Sequence, residues 1–337
     1  MTAIEPVPLP RHADLDAATI EALAAGVPDS TRAAYKADIK AFAEWCAATD
    51  HCGLPATPET LASYATHLAY TRHLSPKSIE RARWAIRKAH KIAGLPVPDS
   101  DLLAQTLKGY RKHLAITKNP KAKPRKATAA DQDALAAMLS KLDLRSPAGK
   151  RDAALILLGF AIAARRSELA ALDISDIQDV PEGMVVTVYR VKTGDVQEVA
   201  VPYAENTDLC PVIAVTRWLN CLDSCGRTEG PLFVRIDQHG NIGNEVRRAG
   251  RAIGDASGRM SPQAVGQVVG RKAREAALSG RFVGHSLRRG FATAAHRAGV
   301  KKLRIARQGG WDDDSAVLDG YIEDADQWDD NALKGVL

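Results

Sequence analysis

Between Leu102 and Ala130 the chain has no acidic residue and eight basic ones: Lys108, Arg111, Lys112, Lys118, Lys121, Lys123, Arg125 and Lys126. Pro120 and Pro124 interrupt the second half of this stretch, so no continuous helix can run through it. Uncompensated positive charge keeps such a segment extended and solvated. A chain of 337 residues divided in this way has to build two separate cores. The reading is a loose Pro-rich tail over 1–28, a first domain over 29–115 and a basic linker over 116–127, followed by a second domain over 128–337 that ends in an acidic tail at 322–337.

Alanine, the best helix former, is abundant and aromatics make up only 5% of the chain, so both cores are expected to be mainly helical. In the first domain, Asp29-Ser30-Thr31 caps a helix to about Ala48. Its apolar face is Ala34, Ile39, Phe42, Ala43 and Cys46, with Arg32, Lys36 and Lys40 in a stripe opposite. Thr57-Pro58 and Ser75-Pro76 pair a cap with a first-turn proline and open helices over 58–72 and 75–93. A fourth helix over about 99–113 completes a compact bundle. In the second domain, Thr128 is the expected cap of a helix to Leu142, and a buried helix covers 149–164. The run Met184–Val191 reads as a strand, Lys192-Thr193-Gly194-Asp195 as a turn and Gln197–Pro202 as the returning strand of a β-hairpin. Helices follow over 211–224, 262–278, 286–298 and 301–308, and the Gly-rich stretch 236–260 reads as a mobile loop. The fold class is mainly α with a small β-hairpin.

The net charge of +6 is unevenly spread. Residues 1–127 hold 19 lysines and arginines against 12 acids, whereas residues 128–337 hold 27 against 28. A basic domain joined to a neutral one points to a polyanionic partner such as nucleic acid. Candidate contacts are Arg32, Lys36 and Lys40 on the first helix, Lys77, Arg81 and Lys88 on the third, and Lys121, Lys123 and Arg125 in the linker. The chain has no 18-residue apolar run, no signal-peptide pattern at its N-terminus, and five cysteines without paired spacing. A reduced, cytosolic protein is expected. Cys210, Cys221 and Cys225 lack a fourth ligand at suitable spacing, so no metal is expected.

Chemistry concentrates near the C-terminus. His285 and Arg288 are three apart and share one face of a helix, where imidazole and guanidinium together cradle a phosphate. Tyr321 supplies an oxygen nucleophile, with Tyr189 and Tyr203 as rivals by residue type alone. Arg165 follows the buried helix and precedes Glu168 by three residues. Arg166 and Arg289 are the neighbouring alternatives to Arg165 and Arg288. Phosphodiester cleavage without a metal requires a nucleophile, cations on the non-bridging oxygens, an acid for the leaving group, and positioning.

Taken in order, Arg165-x-Ser167-Glu168-Leu169, Lys192 on the hairpin, His285-x-x-Arg288, Trp311 and Tyr321 resemble the active-site set of the tyrosine site-specific recombinases. Gly309-Gly310-Trp311, Gly320-Tyr321-Ile322 and a first helix closing on Trp45-Cys46 resemble the Cre-like branch. The resemblance implies a SAM-like helical core-binding domain followed by an α+β catalytic domain. It implies that Tyr321 attacks the scissile phosphate to form a 3′-phosphotyrosyl link, while Arg165 and Arg288 grip the non-bridging oxygens. Lys192 then protonates the departing 5′-hydroxyl, and His285 binds the phosphate and moves the tyrosine proton. Trp311 stands where many relatives have histidine and holds an oxygen or buttresses Tyr321, and Glu168 orients Arg165 or His285. Ala163-Ala164 replace the glycine or threonine and leucine common in relatives, so a slightly different turn is expected before Arg165.

Recombination through a Holliday junction follows from the resemblance, without cofactor, metal or ATP. The implied partners are double-stranded DNA with inverted-repeat sites and three further copies of the chain, which is a monomer in solution and a homo-tetramer on two paired sites. The implied setting is the prokaryotic nucleoid, with the gene on a phage, plasmid or chromosome, and the short N-terminal tail suggests a system without arm sites. The helix opened by Ser261-Pro262 is expected in the major groove, with Gln263 reading a base and Gln267 and Arg271 beside it. From Asp312 to Asp330 acids have no offsetting base, so this stretch is expected to turn away from DNA and the tail to dock on a neighbouring subunit. A type IB topoisomerase-like nicking-closing enzyme and a DNA-binding protein with a relict site are the competing readings.

Overall fold

The computed structural model describes residues 29–98, 101–123, 125–190, 194–243, 246–248, 251–328 and 331–336. They form two compact units, one ending at Arg125 and the other beginning at Lys126. Among them no helix is long and apolar enough to cross a membrane.

The first unit consists of α1 (Asp29–Ala48), α2 (Pro58–Thr66) with a π-helical turn (His67–Thr71), α3 (Pro76–Ile92) and α4 (Asp101–Ile116). Thr57 and Ser75 cap α2 and α3 through their hydroxyls, each followed by a first-turn proline. α3 buries Ile79, Ala82, Ala85, Ile86 and His90 against Leu61, Leu68, Leu103 and Leu107. His90 is a structural histidine: its Nδ1 donates to the Ile86 carbonyl and its Nε2 accepts from the Ala56 N–H. The buried stripe of α1 is narrower than the sequence suggests. Phe42 and Cys46 are buried, but Ile39 and Ala43 are exposed, because α1 packs mainly against the single helix α3. The segment expected to be a wholly extended linker instead carries a 3₁₀ turn (Pro120–Ala122). Asn119 caps this turn, and Lys121 Nζ donates to the His73 carbonyl.

The second unit opens with α5 (Gln132–Leu139), capped by Asp131 rather than Thr128. Thr128 is occupied elsewhere, exchanging hydrogen bonds with the Arg281 backbone. α6 (Pro147–Ala161) is buried almost all round, which explains its continuous apolar run. The short α7 (Arg166–Ala171) follows. The expected hairpin is a three-stranded antiparallel sheet in the order β1 (Ile177–Val180), β2 (Gly183–Arg190), β3 (Asp195–Pro202), with Val186 opposite both Ile177 and Val199. Then come α8 (Pro211–Asp223), β4 (Val246–Arg248), β5 (Arg251–Ile253), α9 (Pro262–Glu275), α10 (His285–Arg297), α11 (Lys302–Gly309) and α12 (Ala316–Asp326). β4 and β5 pair inside the stretch expected to be a mobile loop.

Two further elements of this unit bear on the site. On β2, Met184, Val186, Val188 and Arg190 are buried at every second position, so Arg190 ends the inward-facing row. α12 reaches Asp326, so residues 322–326 are helix rather than tail. Ser315 caps it, and Leu318 joins Ala292, Ile305 and Ala306 in a small core that fixes it against α10 and α11.

Candidate active site

Five short segments converge. At the end of α6 the chain reverses through Ala163, a buried non-glycine residue with φ of 48°, and this turn directs its carbonyl at Arg288. Ala163-Ala164 thus form a left-handed turn that makes a specific contact. Arg165 caps α7. Glu168 Oε2 accepts from the Arg165 N–H at 2.8 Å, and Oε1 accepts from Arg165 Nη1 at 2.5 Å. Glu168 is buried and also accepts from Arg190 Nη1 at 2.9 Å. Burial alone would raise its pKa. The hydrogen bonds from Arg165 and the charge of Arg190 outweigh that and hold the carboxylate below its ordinary value.

On α10, Arg288 is 2% exposed. Its Nη1 donates to the carbonyls of Ala163 and Gly309, at 2.7 and 2.5 Å. Its guanidinium lies 3.6 Å from the centre of the Trp311 ring, a cation–π contact. Its Nη2 is buried and has no hydrogen-bond partner. Burial, then the charge of Arg165, push its pKa down to about 9. Trp311 reaches this position because the two residues before it are glycines. A Cβ on Gly309 would lie 1.8 Å from the Trp311 ring, and Gly310 is left-handed at φ 61°.

Tyr321, on α12, places its Oη 2.5 Å from His285 Nε2, and its ring meets Trp311 edge-to-face at 6.3 Å. Desolvation, then the charges of Arg288, Arg165 and Arg289, lower the His285 pKa, although the residue is exposed by surface area. Burial raises the Tyr321 pKa against the pull of the same arginines. The hydrogen bond therefore joins a protonated phenol to a neutral imidazole.

Three acids of the run around Tyr321 are paired with bases distant in sequence. Asp324 accepts from Arg289 at 2.6 Å and Lys126 at 2.7 Å, Asp326 pairs with His296 at 2.7 Å, and Asp319 pairs with Lys302 at 2.6 Å. Arg289 also donates to the Ala127 carbonyl at 2.7 Å, so it anchors α12.

The structure thus brings together Arg165, Glu168, His285, Arg288, Trp311 and Tyr321. Lys192 lies outside the described residues. Gln263 and Gln267 are exposed on α9 and line, with Arg165, Arg166, Arg281 and His285, a hollow of about 570 Å³. Arg271 donates to buried Asp152 at 2.9 Å, and Arg81 forks onto Asp38 at 2.7 and 2.9 Å, so both are held by carboxylates of their own unit. Arg32, Lys36, Lys40, Lys77, Lys88, Lys121, Lys123 and Arg125 are exposed. The sequence reading missed Arg190, Gln197 and Gln308, and weighed Arg289 only as an alternative to Arg288. The two-residue period of β2 carried a signal for Arg190.

Residues 128–327 match the family model for the phage integrase family. The chain belongs to this family of tyrosine recombinases, enzymes that break and rejoin DNA at specific sites through a phosphotyrosyl intermediate and a Holliday junction. An integrase/recombinase xerD homolog from Selenomonas ruminantium is 30% identical over 314 residues, 90% of this chain and 84% of that protein. The recombinase cre of Escherichia phage P1 is 26% identical over 295 residues, 85% and 82% of the two chains. The fold matches that of a lambda integrase dimer bound to a COC′ core site, with a TM-score of 0.55 at 19% identity over 91% of this chain and 93% of that one. It also matches the Tn1549 transposon integrase in complex with transposon right end DNA, with a TM-score of 0.55 at 13% identity over 90% and 92%.

Proposed function

We propose that the recombination chemistry is carried by Tyr321, His285, Arg165, Arg288, Trp311 and Glu168, with Lys192 as the acid. The observation that carries this is the unpartnered, buried Nη2 of Arg288 beside the Tyr321–His285 pair: a donor already desolvated, next to a nucleophile already hydrogen-bonded to its base. Tyr321 Oη attacks phosphorus, its proton passes to His285 Nε2, and the bond from phosphorus to the 5′-oxygen breaks. Lys192 gives that oxygen a proton. Arg165 and Arg288 stabilise the charge on the non-bridging oxygens, Glu168 holds Arg165, and Trp311 supports the faces of Arg288 and Tyr321. The reverse reaction with another strand's 5′-hydroxyl rejoins the DNA, and the phosphotyrosyl bond conserves the energy.

The substrate in this reading is duplex DNA with inverted-repeat sites, brought together by four copies of the chain in a bacterial, phage or plasmid setting. Trp328, Leu333 and Val336 are 79%, 60% and 70% exposed, and a second copy of the chain is their proposed cover. Placement near Cre rests on Trp311 and on a match over most of the chain; the higher identity of the xerD homolog weighs against it.

The test is covalent trapping on a library of nicked duplexes. Wild-type protein should accumulate a protein–DNA adduct and Tyr321→Phe none. Sequencing the trapped DNA gives the site and its symmetry. An adduct in Tyr321→Phe, or none in the wild type, overturns the assignment.

A further inference from the structure

Arg190 is a guanidinium 2% exposed that the chemistry above does not use. Burial lowers its pKa, so holding this charge inside is costly unless its bonds are well made. Its Nη1 donates to Glu168 Oε2 at 2.9 Å. Its Nε and Nη2 donate to Gln197 Oε1 at 3.2 and 3.1 Å, and Nη2 also donates to the Gln308 carbonyl at 3.2 Å. Gln197, on β3, is itself fixed by donating to the Arg307 carbonyl, and the Gln308 side chain donates to the carbonyls of Ala161 and Ala200. A Cβ on Gly310 would lie 2.6 Å from Arg190 Nε, so this glycine also makes room for the guanidinium.

We propose that Arg190 is the positioning residue that sets the spacing between the two phosphate-binding guanidiniums. One arm of the network runs from Arg190 through Glu168 to Arg165. The other runs through the Gln308 carbonyl to the next peptide, whose Gly309 carbonyl receives Arg288. Arg165 and Arg288 stand on different helices and share no hydrogen bond among the described residues. Arg190 is where the elements that carry their anchors meet. Only a planar fork can serve Glu168, Gln197 and the Gln308 carbonyl together; a lysine at this position has the charge without the geometry.

This inference rests on Arg165 and Arg288 being the phosphate ligands, and the test separates the two claims. Full-length protein is presented with a nicked duplex carrying the site recovered by trapping. The scissile group is either a normal phosphate or a methylphosphonate, in which a methyl replaces one non-bridging oxygen and the charge to be stabilised is smaller. In single-turnover cleavage of the phosphate substrate, Arg190→Gln should be slower by about 100-fold, with DNA affinity within about threefold of wild type. On the methylphosphonate that gap should narrow to below about tenfold, as it should for Arg165→Ala. Gln197→Ala loosens Arg190 without stripping Glu168 of its partners, so it should show the same narrowing on a smaller scale even if Arg190→Gln folds poorly. Equal losses on both substrates would mean that Arg190 only stabilises the fold, and an unchanged rate would remove it from the site; either overturns the proposal. If the Arg165→Ala defect itself fails to narrow, the assignment of the phosphate ligands is what has failed.

Discussion

His285 Nε2 and Tyr321 Oη share a hydrogen bond, and burial drives their pKa values further apart, lowering the imidazole and raising the phenol. The sign of the histidine shift has a consequence for stability. In the unfolded chain His285 regains its ordinary pKa near 6.5, above its folded value. The unfolded state then binds more protons as pH falls, so stability is intact above about pH 6.5 and is lost progressively below it, toward the folded pKa. The melting temperature of wild-type protein should fall between about pH 7 and pH 5, and His285→Gln should flatten part of that fall. Parallel curves for the two proteins would show that His285 is not held neutral by its surroundings. At this scale the spacing of His285 and Arg288, the Ser-Glu-Leu after Arg165, and the glycine pair before Trp311 were all legible in the sequence. Arg190 was marked only by its inward place in the two-residue period of β2, and its role was hidden because its partners Glu168 and Gln308 lie 22 and 118 residues away.

Elements announced themselves when local chemistry defined their ends. The serine- and threonine-capped helices with first-turn prolines stand within a few residues of their expected limits. β1 was invisible because it has four residues and only two apolar ones. The end of α12 was read as an acidic tail because the bases that pair with Asp319, Asp324 and Asp326 lie outside it, on α10, at the start of α11 and at Lys126. α10, which carries His285 and Arg288, is seated against residues 127–131. There the Ala130 N–H donates to the Ser286 carbonyl, and a Cβ on Gly290 would lie 2.0 Å from the Ala130 oxygen. That oxygen belongs to the backbone and cannot swing aside, so α10 itself has to shift in Gly290→Ala. The expected cost is about 1–3 kcal/mol in the unfolding of the second unit alone. Chemical denaturation followed by a probe in each unit should move the second-unit transition to lower denaturant and leave the first-unit transition in place. An unmoved second transition would mean that this seating is softer than the contact distance implies.

Over the whole molecule, formal charge counts concealed two opposite facts. The second unit sums to near neutrality, yet Asp319, Asp324 and Asp326 near Tyr321 are held by Lys302, by Arg289 with Lys126, and by His296, rather than by Arg165 or Arg288. The first unit's excess is genuinely exposed. α3 turns Lys77, Arg81, Trp84, Lys88 and Lys91 outward along one face, with Arg83 and Arg87 flanking the indole of Trp84. Arg81 differs from the three lysines because its guanidinium is already forked on Asp38. If this face tracks the DNA backbone, each lysine that meets a phosphate releases counterions, and the slope of log affinity against log salt falls by about 0.9 for each one removed. Replacing Lys77, Lys88 and Lys91 together with glutamine should therefore reduce the slope by about 2.7, and weaken binding most at low salt. Arg81→Gln should change it by much less. Single-turnover cleavage at saturating DNA should be unaffected in all of these variants, because none of these side chains belongs to the catalytic set. A slope that stays the same after the triple change would place the DNA on a different face of the bundle, and an Arg81→Gln effect as large as that of a lysine would mean that DNA displaces Asp38.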